Sequence, residues 1–162
     1  MKNSIKLILS ISMLASTFIL TAQQIPDFDA EKAAGIVTYD TEKVIKKLKV
    51  EDLKAKQSIA KSIEQYNMKM YELSDTHAAT FQELNAYFER QVQVAIRNRD
   101  RSQMDGFKTK VKETIPPIKK EVIVHENALN ESMQSLLDDK QFNKWMKYQK
   151  SQKPTPSAMM GG

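Results

Sequence analysis

The 162-residue chain has no cysteine. That removes disulfides, thiol catalysis, iron–sulfur clusters, cysteinyl zinc sites and lipid attachment at an N-terminal cysteine. Only four glycines and five prolines occur, too few for a β-sandwich or barrel, whose short strands need turn residues about every 8–12 positions. Two histidines lie far apart and leave little for a metal centre. Missing too are a glycine-rich phosphate loop, a nucleophile elbow and a paired buried carboxylate pattern. These absences argue against an enzyme and imply no cofactor. What is present is a polar, basic chain of single-domain length, with 25 Lys and Arg against 20 Asp and Glu.

The N-terminus has the order of a secretory signal. Lys2 and Lys6 precede the apolar run Leu7 to Leu20, and Thr21-Ala22 then lead into Gln23-Gln24. Basic start, apolar middle and small residue before a polar junction is the expected three-part pattern. The run is short for a bilayer crossing of about 20 apolar residues. Cleavage after Ala22 would therefore deliver the chain to the periplasm, with no stable membrane insertion afterwards.

The remaining chain divides into an irregular segment, 23–39, a helical domain, 40–152, and a disordered tail, 153–162. In the first segment Asp29 can cap a short helix over Ala30 to Ala34, and Gly35 can end it. Asp40 caps the next helix, and Lys49 to Asp52 form a polar junction. A long stripe follows: Leu53, Ile59, Ile63, Tyr66, Met70, Leu73, His77, Phe81, Leu84, Phe88, Val92 and Ala95. After Ile59 the steps are three or four residues, the helical period. Ser74-Asp75-Thr76 is the expected bend, and Arg99 to Ser102 the expected reversal. The period resumes from Met104 to Leu136. Pro116-Pro117 is expected to break this second arm, since two backbone donors are lost there. Asp138 and Gln141 form a capping box for a short last helix. The class is all-α: a long antiparallel helical hairpin with a Pro-kinked second arm and a short C-terminal helix.

Three features are candidate sites. His77 and His125 lie on the apolar stripes and would face each other across a reversal near residue 101, making them weak candidates for a metal ion. The acidic residues Glu64, Glu72, Glu83 and Glu126 alternate with lysines as solvated faces do. Basic runs include Lys43, Lys46, Lys47, Lys49, Lys54 and Lys56, and also Arg97, Arg99 and Arg101. Export points the charge away from nucleic acid and toward acidic polypeptides or anionic headgroups. Off the stripe lie Met68, Tyr71, Tyr87, Val94 and Ile96, more apolar surface than a two-helix hairpin can cover. They are expected to close a homodimer or, with the three arginines, to hold client chains.

Leu137 to Gln141 resembles the second L-T-x-x-Q motif of Spy/CpxP-like periplasmic proteins, with Asp138 in place of the threonine cap. Phe142 to Tyr148 resembles the helix that follows it, and Leu48 to Leu53 sits where a first copy would be, without the final glutamine. This resemblance implies a dimeric helical hairpin and an ATP-independent chaperone or envelope-stress role. Skp/OmpH-like chaperones are a rival, on the likeness of Ile36 to Asp40 to their first strand. The expected function is thus capture of unfolded or envelope proteins without nucleotide. The alternatives are a metal-responsive accessory using His77, His125 and Met159-Met160, and a purely structural envelope coiled coil.

Overall fold

The computed structural model describes residues 28–153. The expected signal segment and nearly all of the expected tail therefore lie outside the described residues. Six α-helices follow one another, with no strand among the described residues: α1 (Ala30–Ala34), α2 (Thr41–Leu48), α3 (Leu53–Thr76), α4 (Ala78–Asn98), α5 (Asp105–Leu136) and α6 (Asp139–Gln152). The all-α class is as expected.

Local chemistry sets most boundaries. Asp29, Asp40, Asp52 and Asp138 each accept a hydrogen bond from the backbone amide three residues on. That satisfies one of the donors a helix start leaves unpaired. At Asp138 the box closes, because Gln141 Oε1 accepts from the Asp138 amide at 3.2 Å. Gly35 ends α1 at φ 88°, a left-handed conformation that suits glycine. α3 gives way to α4 at His77, one residue beyond the expected bend. The reversal falls where expected: Arg99 caps α4 at φ 51°, and Asp100 then caps a short 3-10 turn, Arg101–Met104.

One expectation fails. α5 runs unbroken for 32 residues through Pro116 and Pro117. Both prolines are exposed, as are Lys112 and Glu113, whose carbonyls lose their helical donors. Water can reach those carbonyls, while the neighbouring Ile115 and Ile118 are buried and hold the helix onto the core. Core packing outweighs the local proline penalty.

α5 lies against α3 and α4 in the opposite sense. Ser62 pairs with Ser132 at 2.7 Å, His77 lies by Glu121 at 3.4 Å, and Glu83 bonds Lys110. The segments carrying α1, α2 and α6 pack across this pair. Two apolar clusters result. One gathers Tyr39, Val44, Leu48, Ile59, Ile63, Tyr66, Met70, Val122, Leu129, Met133 and Trp145. The other gathers Phe28, Ala30, Phe81, Leu84, Phe88, Phe107, Ile115 and Ile118. Ile36 touches both, and α5 runs through both.

Candidate functional site

The off-stripe apolar residues do not form one patch. Met68 and Tyr71 stand open on α3, with 57% and 64% of their surface exposed, and Ile96 at the end of α4 is 55% exposed. Tyr71 and Ile96 are twenty-five positions apart along α3 and α4, roughly 38 Å at 1.5 Å per residue. Tyr87 and Val94 are half-buried. Tyr87 is covered by its own chain: its ring meets Phe107 at 6.3 Å, and the cations of Arg90 and Lys110 sit over it at 5.8 and 5.4 Å. Of the five off-stripe candidates, those still open are Met68 with Tyr71, and Ile96; Leu53 and Val124, outside that set, are also open, at 67% and 65%.

Ile96 has cationic company. Arg97, Arg99 and Arg101 are all exposed around the reversal. The nearby carboxylate of Asp100 is held by its own turn, accepting from the Gln103 side chain at 3.1 Å, the Ser102 hydroxyl at 2.9 Å and the Ser102 amide at 2.9 Å. Those bonds hold its carboxyl below the usual range. None of the three guanidiniums has a carboxylate partner among the described residues.

The histidines occupy separate surroundings. His77 Nε2 sits 3.4 Å from Glu121 Oε1. His125, one turn further along α5, lines a small cleft of about 140 Å³ with Ser62, Gln65, Lys69 and Ser132. Pairing across the helices runs about a turn earlier than a reversal at 101 would give, which is why the two imidazoles are out of step. Among the described residues, no group of three His, Asp or Glu side chains could hold a metal ion.

Two features escape the sequence reading. Glu126 is not on a solvated face: it is 7% exposed, and Lys153 Nζ meets its carboxylate at 2.6 Å. It follows Val122 by four positions and precedes Leu129 by three, so helical spacing alone puts it on the buried stripe. Around it Asn130 Oδ1 accepts from Trp145 Nε1 at 2.8 Å and from Gln149 Nε2 at 3.1 Å. Burial, with the nearby Glu126 charge adding to it, pushes the phenols of Tyr39 and Tyr66 well above their ordinary value, so both stay protonated. This cluster is a polar inlay of the core.

The second feature joins distant sequence. α2 and α6 touch: Lys47 Nζ lies over the Tyr148 ring at 5.1 Å, and Gln141 Nε2 donates to the Lys49 carbonyl at 3.5 Å. Lysines of both helices thereby share one region of the surface. No family model, curated protein or solved structure matches the chain.

Proposed function

We propose that the chain is an exported, ATP-independent chaperone or envelope-stress adaptor that holds unfolded polypeptides and works as a homodimer. The observation that carries this reading is Ile96, open to solvent beside three unpaired arginines at the end of a long helical pair. Exposed charge of one sign raises the rate of encounter with acidic chains, and an adjacent apolar side chain gives weak, reversible hold. Met68 and Tyr71 offer a second such hold, since a flexible thioether and an amphipathic ring accept varied partners. The sequence supports export through its N-terminal pattern. Binding alone suffices for the role, with no nucleotide or covalent step.

The test is suppression of aggregation for several unrelated clients by the chain isolated from cells. Suppression is expected, and Arg97, Arg99 and Arg101 together changed to Ser should slow it at low salt. The difference should shrink near physiological ionic strength, where the screening length is about 8 Å. Failure to protect any client at any salt concentration rejects the chaperone reading and leaves a structural helical protein.

A further inference from the structure

We propose that the outer face shared by α2 and α6 is a docking surface for anionic lipid headgroups, distinct from the arginine end of the molecule. Three lysines of α2 and four of α6 stand against one acidic residue in each helix, Glu42 and Asp139. The net charge of these two short helices, +5, equals that of the whole chain. Lys46, Lys140, Lys147 and Lys150 are all exposed, and none has a carboxylate partner among the described residues. Uncompensated charge crowded on one face is unfavourable unless a counter-charge meets it.

The chemistry of the face selects the partner. Every cation is a lysine, a hydrated point charge on a flexible stem, which suits a fluid layer of headgroups. A partner needing fixed bidentate geometry would call for arginine, and this face has none. A single-stranded nucleic acid needs aromatic platforms for its bases. Here the aromatic rings point inward, Trp145 fully buried and Tyr148 nearly so. An extended acidic peptide needs a sheet edge or a groove, and the face offers neither a strand nor the cleft, which lies between α3 and α5. Met146, 40% exposed on α6, is the one large apolar side chain there and can settle among headgroups. α2 packs on α3, α6 packs on α5, and the two touch each other, which places both helices on one side of the α3–α5 pair.

Vesicle co-sedimentation tests this, using phosphatidylglycerol–phosphatidylcholine vesicles and pure phosphatidylcholine vesicles. Wild type and variants carry the same N-terminus, so its contribution cancels in the comparison. Lys46, Lys140, Lys147 and Lys150 together changed to Gln should lower partitioning onto the anionic vesicles by about tenfold or more. Changing Arg97, Arg99 and Arg101 to Gln should leave it within about twofold, and circular dichroism should show both variants equally helical. Equal loss in the two variants, or none in the lysine variant, overturns the proposal. Soluble polyglutamate that displaces the protein from the vesicles at equal charge also overturns it, assigning the face to acidic polypeptides instead. Aggregation suppression, measured alongside, reports on the chaperone reading independently.

Discussion

Tyr39 and Tyr66 stack at 5.3 Å between ring centroids; their buried hydroxyls lie near each other, and that of Tyr39 near Gln149, but neither makes a hydrogen bond of full length and angle. A buried hydroxyl with only a weak, poorly aligned partner keeps most of its desolvation cost, so removing it is close to neutral or favourable. Tyr66→Phe should therefore leave stability unchanged or raise it by up to about 1 kcal/mol, as read from urea midpoints. A pH dependence follows from the same burial. In the folded state both phenols ionise well above the value of 10.0 that governs the unfolded chain. Their contribution is complete below that value and is lost as pH rises above it, because only the unfolded chain then releases those protons freely. Stability should fall above about pH 10, and the fall should be shallower in the Tyr39→Phe, Tyr66→Phe double variant. Glu126 shows how far such details are legible in letters. Its spacing declares it buried, but its charge reads as solvated, and only the ammonium of Lys153, far along the chain, resolves the conflict.

Helix starts and stops were open to sequence reasoning because their causes are local. A capping aspartate bonds an amide three residues away, and a glycine after a helix needs nothing distant to act. Asp138→Ala removes one such bond and should cost about 1 kcal/mol in thermal or urea unfolding. The prolines of α5 behave otherwise, since what rescues them is the packing of Ile115 and Ile118 on a cluster built from other helices. Their penalty persists within the continuous helix. Pro116→Ala with Pro117→Ala should restore donors to the carbonyls of Lys112 and Glu113 and raise stability by about 1–3 kcal/mol. A loss of stability in that variant would mean that the prolines' restriction of the unfolded chain outweighs the missing bonds. The shared face of α2 and α6 was not legible for a related reason. Each lysine group is visible in the sequence, but about ninety residues separate them, and no periodicity states that the two helices touch.

At the scale of the molecule, the question is whether two apolar clusters make one cooperative unit. Phe107, Ile115 and Ile118 of α5 belong to one cluster, while Val122, Leu129 and Met133 of the same helix belong to the other. One cluster cannot dissolve without cutting α5 between Ile118 and Val122, within a single helical turn. Ile36, packed against both, ties them a second time. Unfolding should then be two-state, which has a direct check. Trp145 is the only tryptophan and sits fully buried in the first cluster. Its fluorescence should follow the same urea curve as far-ultraviolet circular dichroism, which reports helical content along the whole chain. Phe107→Ala, in the other cluster, should weaken the protein by about 3–5 kcal/mol. Coupling requires this distant change to lower the Trp145 midpoint as much as the helical one. A Trp145 transition left in place while part of the helical signal melts early would show that the reversal end, with its arginines and Ile96, opens on its own. In that case the surface offered to a client would change with partial unfolding, and client capture would gain steeply in the range where only that end has melted.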